Sequence, residues 1–146
     1  MKKLAIVLLL VAASCRRSVA VGSPTPGQPG GSNPRDAIAK FMASAKAQDL
    51  QAMSLAWGSP QGPIRETRSR EEIEQREVIL MCHLKHDSYR VVNEAPAVKD
   101  ERQLNVEVKY RDLTKVAPFF VGQGPSQRWY VFRFDLDPLR EICARH

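Results

Sequence analysis

The chain has 146 residues, enough for one domain and not two. Hydrophobic residues make up 43% and charged residues 26%, which is ordinary globular usage. The net charge of +6 comes without a dense Lys/Arg stripe or interleaved aromatics, which argues against a nucleic-acid partner; so small a surplus suits phospholipid or anionic polysaccharide as well.

Lys2 and Lys3 are followed by the apolar run Leu4 to Val11 and the small residues Ala12, Ala13 and Ser14. This is the pattern of a secretory leader, too short for a permanent span of about 20 apolar residues. The stretch VAASC, ending at Cys15, resembles the lipobox of bacterial lipoproteins, with Ala12 standing where that family most often has leucine. The resemblance implies cleavage before Cys15, acylation of its thiol and attachment of the mature chain to a membrane. Arg16 in place of an aspartate implies the outer membrane, facing the periplasm. A plain leader cut near Ala13 or Ala20 would instead give a soluble secreted or periplasmic protein. Removal of residues 1–14 takes Lys2 and Lys3 away and leaves 20 basic against 16 acidic residues, a net charge of +4.

Residues 18–34, SVAVGSPTPGQPGGSNP, hold four prolines, four glycines and no charge. Such a segment has too little apolar surface to fold. Residues 15–34 therefore read as a lipidated cysteine with a tether, which as a flexible coil spans roughly 20–25 Å. Residues 35–146 read as a single domain.

Asn33-Pro34 is an N-cap followed by proline at the first helical position. Ile38, Phe41, Met42 and Ala45 then give the helix one apolar face. Asp49 can cap a second short helix with Leu50, Met53 and Trp57 on one stripe, ended by Gly58, Pro60, Gly62 and Pro63. Ser69 and Glu72 read as a capping box that opens a third helix, to about Leu84, with Ile73, Leu80, Met81 and Leu84 inward.

After His86 the period falls to two. An extended stretch starts at Tyr89 and breaks near Pro96. Leu104, Val106, Val108 and Tyr110 then alternate with Asn105, Glu107, Lys109 and Arg111, as in a half-solvated antiparallel strand. Val116 to Val121 form a third strand, Gly122 to Ser126 a turn, and Arg128 to Phe134 a fourth strand. In that last strand Trp129, Val131 and Arg133 alternate with Tyr130, Phe132 and Phe134. Asp137-Pro138 can open a short C-terminal helix through Cys143.

Helices followed by a four-stranded meander predict an α+β fold, with N-terminal helices against a curved antiparallel sheet and a short C-terminal helix. With AIAKFMASAKAQDLQAMSLAW at the front and SQRWYVFRFD in the last strand, residues 35–146 resemble the cone-shaped nuclear-transport-factor-2-like fold. The ketosteroid isomerases, SnoaL-like cyclases and many small exported bacterial proteins share this cystatin-like shape. The resemblance implies a helix-lined cone and leaves function open, because the fold hosts enzymes, binders and scaffolds.

Three cysteines are present. If Cys15 is acylated, Cys82 and Cys143 remain, and an even remainder in an oxidising compartment favours one disulfide over two buried thiols. No Cys-x-x-Cys redox pair occurs.

His83 and His86, followed by Asp87, have a spacing that metal could use, yet no third ligand is indicated; capping of a helix end is the simpler role. No metal or cofactor is expected, and no nucleophile triad, phosphate loop or dinucleotide fingerprint is present. An acid–base site in the cone would have to draw on Tyr110, Tyr130 or Asp135, and an apolar ligand on Trp57, Tyr110 or Trp129. The residues thus describe a lipid-anchored cell-envelope protein, with a non-catalytic domain for an envelope protein or a small apolar ligand. The alternative is a small enzyme of the ketosteroid-isomerase kind. Oligomeric state is not legible.

Overall fold

The structure is a computed structural model that describes residues 27–145. Cys15, the leader and most of the expected tether lie outside the described residues. No helix among the described residues is long and apolar enough to cross a membrane.

Helix α1 spans Pro34–Ala47, and its Asn33 cap accepts a hydrogen bond from the Asp36 amide at 2.9 Å. The expected inward face forms: Ile38, Phe41 and Met42 are fully buried. Helix α2 spans Leu50–Ala56, with the Asp49 carboxylate accepting from the Ala52 amide at 3.0 Å. Where a loop was expected, β1 (Gly58–Ser59) and β2 (Gly62–Pro63) pair as a minimal antiparallel hairpin that leads into α3, Ile64–Thr67.

Helix α4 spans Arg70–His83, and Ser69 caps it by accepting from the Glu72 amide at 3.3 Å. The predicted capping box is only half formed. The Glu72 carboxylate faces Arg68 at 2.9 Å and Arg76 at 2.8 Å, because paired cations one turn away on either side outcompete a backbone amide.

Strands β3 (Ser88–Pro96), β4 (Arg102–Tyr110), β5 (Leu113–Gln123) and β6 (Trp129–Phe134) form one antiparallel meander in that order. The helices and the sheet make the expected α+β fold. β5 is longer than the run Val116–Val121. Arg111, at φ 54°, lets the chain reverse in two residues, so Leu113 pairs at once with Tyr110. Pro118 is tolerated in this inner strand because its carbonyl accepts from the Asp135 amide, just beyond the end of β6. The amide and carbonyl of a strand residue face the same side, so the missing N–H falls where the ladder has already stopped.

The phase of β6 differs from strict alternation. Phe120 pairs with Arg133 but Val121 with Val131, which leaves Phe132 as the extra residue of a bulge. Trp129, Val131 and Phe134 thereby share the core face, while Arg133 turns outward to Glu101 at 2.8 Å and stacks on the Phe120 ring at 3.5 Å. The Phe132 ring lies over Gly122, where any Cβ would collide with it.

The core is aromatic at its centre. Phe41 of α1 lies 6.2 Å from Phe119 of β5 and 5.5 Å from Phe134 of β6, and Trp57 closes on Phe134 at 6.1 Å. Leu139 ends a single 3-10 turn, Asp137–Leu139, and Ile142 belongs to α5, Arg140–Ala144; both complete this core. Cys82 of α4 and Cys143 of α5 stand at disulfide distance, their Cα atoms 4.8 Å apart.

The expected linker 15–34 is too long at its C-terminal end. Gly30 and Gly31 are buried, and Gly31 exchanges hydrogen bonds of 2.6 and 2.9 Å with Trp129. Arg128 donates to the Pro29 carbonyl at 3.0 Å and the Gly30 carbonyl at 2.8 Å. A segment without apolar side chains is held here through its backbone, because the outer edge of β6 offers unpaired amides and carbonyls.

Two outcomes follow from this packing. Gly122→Ala should lower the urea midpoint by the equivalent of about 1–3 kcal/mol, the usual cost of overpacking. Cys143→Ser should cost about 2–4 kcal/mol, and mass mapping without reductant should find Cys82 and Cys143 in one linked peptide pair; two freely alkylated thiols would contradict it.

Candidate functional site

The residues singled out in the sequence do not converge. Tyr110 pairs with Leu113 and Tyr130 with Gly122, nine positions apart along β5, which is roughly 30 Å at about 3.4 Å per residue. Tyr110 lies at the β4–β5 turn with the Arg111 guanidinium 5.1 Å from its ring. Tyr130 is buried, its ring seated against the backbone of Gly30, Gly58 and Gly124, and burial raises its hydroxyl pKa. Asp135 is exposed and its carboxylate accepts from the Asp137 amide at 2.9 Å, so it shapes the turn after β6.

Trp129 and Trp57 both serve the edge of β6, Trp129 through Gly31 and Trp57 through a bridge to Val131. Trp57 also borders a cleft of about 340 Å³ with Phe132, Arg68 and Arg76. Both arginines there are already paired to Glu72. His83 bonds the Ile79 carbonyl through Nδ1 at 3.0 Å, and His86 bonds the Leu84 carbonyl at 2.8 Å. Burial lowers the pKa of His86, which packs edge-on against Tyr89. Asp87 accepts from the Arg111 amide at 2.7 Å. Among the described residues no group of three or more His, Cys, Asp or Glu is placed to hold a metal ion.

Two concave features stand out instead. The first is a groove of about 210 Å³ between α1 and α2, walled by Ala43, Ala47, Ala52, Leu55 and Ala56. Small side chains at i, i+3 and i+4 positions leave this space because alanine cannot fill it. Three of its polar groups are engaged: Lys40 donates to the Gly30 carbonyl at 2.7 Å, Ser44 donates to the Phe41 carbonyl at 2.7 Å, and Asp49 at the rim accepts from the Ala52 amide at 3.0 Å. Desolvation lowers the Lys40 pKa, against the pull of Asp36. Gly27 and Gln28, the first described residues, form one rim.

The second is a cavity of about 140 Å³ between α2, α3 and α4, lined in part by Glu77. Glu77 is only 1% exposed and its Oε1 has no hydrogen-bond partner. Burial raises its pKa, and the nearby carboxylates of Glu74 and Asp49 raise it further, to about 7. Ile73, Glu77, Leu80 and Leu84 follow one another at intervals of four, three and four, so Glu77 stands on the inward stripe itself. That spacing was the available signal. Reading only the apolar members of the stripe passes over it, while Met81, expected inward, is only half-buried.

The pH dependence of stability follows from Glu77. Its pKa is about 4.5 in the unfolded chain and about 7 in the fold, so between these values the folded state holds more protons. Stability is then fully present below about pH 4.5 and is lost as pH rises to 7. At about 1.4 kcal/mol per pKa unit the full loss is on the order of 3 kcal/mol. Glu77→Gln should flatten this slope in urea melts from pH 4 to 8 and should leave the mutant the more stable at pH 8; an unchanged slope would contradict the assignment.

No protein-family model, curated protein or solved structure matches this chain.

Proposed function

We propose that this chain is a lipid-anchored protein of the cell envelope, probing its surroundings on a short tether through a non-catalytic α+β binding domain of the nuclear-transport-factor-2-like kind. The anchor rests on the sequence: Lys2-Lys3, the apolar run to Val11, and Ala13-Ser14 before Cys15. Two or three acyl chains hold a protein stably, since each buried CH₂ contributes about 0.8 kcal/mol.

The observation that carries the binding role is the α1–α2 groove. It is mostly apolar, three of its polar neighbours are satisfied internally, and it opens beside Gly27, the first described residue. A small apolar ligand, or an apolar side chain of an envelope partner, meets mostly alanine and leucine surface there, with the Asp49 carboxylate at the rim. An acid–base site between helices and sheet finds less support. Phe41, Phe119, Phe134 and Trp57 occupy that space, and Tyr110, Tyr130 and Asp135 are engaged separately.

Two measurements test the reading. Cys15→Ser should move the protein from the membrane to the soluble fraction and remove a diacyl or triacyl mass; an unshifted distribution would end the anchor. Ala43→Glu places a charge in the exposed wall of the groove. It should abolish saturable Nile red fluorescence with the melting temperature within a few degrees of wild type, and undiminished fluorescence would exclude the groove.

A further inference from the structure

A buried carboxylate with an empty acceptor needs a partner that donates. We propose that Glu77 anchors a second binding site in this domain, selective for a small organic ammonium ion, in the cavity between α2, α3 and α4.

Four observations carry this. Glu77 is 1% exposed and lines the cavity, and its Oε1 is unpartnered. The charges around it do not supply the missing donor. Arg70 is spent on Glu74 at 2.6 Å. Glu74 and Asp49 add negative field, from α4 and from the start of α2. Arg65, on α3, is exposed and borders the cavity. At Glu77 itself the net field is negative, because Glu74 and Asp49 raise its pKa while Arg70 is paired with Glu74 and Arg65 lies exposed at the border, so a cation placed against the Glu77 carboxylate is favoured over an anion.

The size of the cavity limits the guest. A space of about 150 Å³ can hold benzene, so about 140 Å³ admits roughly six non-hydrogen atoms, the scale of a propyl- or butylammonium ion. The wall is mixed: Ile73 offers an apolar surface to an alkyl chain, and Gln51 and Ser54 bring polar groups from α2. The Ser54 hydroxyl donates to the Gln51 carbonyl at 2.8 Å, which leaves its lone pairs as acceptors for an N–H. Among the described residues no metal-holding group of three or more His, Cys, Asp or Glu forms here, so the chemistry suits hydrogen-bond donors on nitrogen better than a bare divalent ion. The cavity shares no lining residue with the α1–α2 groove, so either site can fail without the other.

The test uses n-propylammonium chloride as probe, with sodium chloride at equal ionic strength and propan-1-ol as controls, followed by calorimetry. Saturable binding at pH 8, at least tenfold weaker in Glu77→Gln, is the expected result. Because Glu77 titrates at about 7, affinity should fall about 30-fold from pH 8 to pH 5.5 as the carboxyl takes up its proton. Binding no stronger than that of sodium, or equal binding in Glu77→Gln, overturns the proposal. Should Glu77→Gln not fold, the Glu77 carboxyl ¹³C shift of the wild-type protein decides. The probe must lower its titration midpoint by at least half a pH unit, and an unmoved midpoint overturns the site.

Discussion

The contact on which the rest depends is the packing of Phe41 between Phe119 and Phe134. It joins the first helix to the last two strands, elements about 80 and 90 residues apart in the chain. Aromatic pairs of this kind contribute about 0.5–1.5 kcal/mol each beyond the area they bury. Phe134 can take part only because the bulge at Phe132 shifts the phase of β6. The bulge in turn requires Gly122, since the Phe132 ring occupies the space a side chain there would fill. A glycine on one strand thus decides which face of the next strand meets the helices.

The same strand explains how the domain begins. β6 is the last strand of the meander, and its outer edge would present unpaired backbone groups to solvent. Gly31 and Trp57 cover that edge, and Arg128 holds the incoming chain by two carbonyls. The proline- and glycine-rich sequence is therefore not all linker: Gly30 and Gly31 are part of the fold. The opposite edge, β3, is protected differently: it carries a bulge near Val92 and a bidentate Arg90–Glu107 pair on its face.

Electrostatics divides the molecule. On the surface the excess of basic residues is dispersed among pairs such as Arg102–Glu94, Arg133–Glu101 and Arg145–Asp112, each of small energetic weight. Among the described residues one buried carboxylate, Glu77, lies without a counter-charge. A helix can carry such a residue because Ile73, Leu80 and Leu84 on the same stripe supply the burial that compensates for its desolvation. The cost shows as a raised pKa and places a titrating group at neutral pH beside a cavity, the arrangement from which the second binding site is inferred.

Local rules were legible in the residues. Asn33, Asp49 and Ser69 cap their helices because a short side-chain oxygen reaches the next free amides. The alternation from Leu104 to Val108 sets the inward face of β4 because strand side chains repeat every two residues. The pairing of Cys82 with Cys143 is an expectation that rests on reading Cys15 as acylated, and the fold brings the two within disulfide reach. What the sequence alone could not decide depends on neighbours distant in the chain. The bulge at Phe132, the docking of Gly31 on β6, the separation of Tyr110 from Tyr130 and the isolation of Glu77 are set by which elements pack together. Periodicity specifies the face a residue takes on its own element; only tertiary packing specifies what stands opposite, and for a candidate site that is where the chemistry lies.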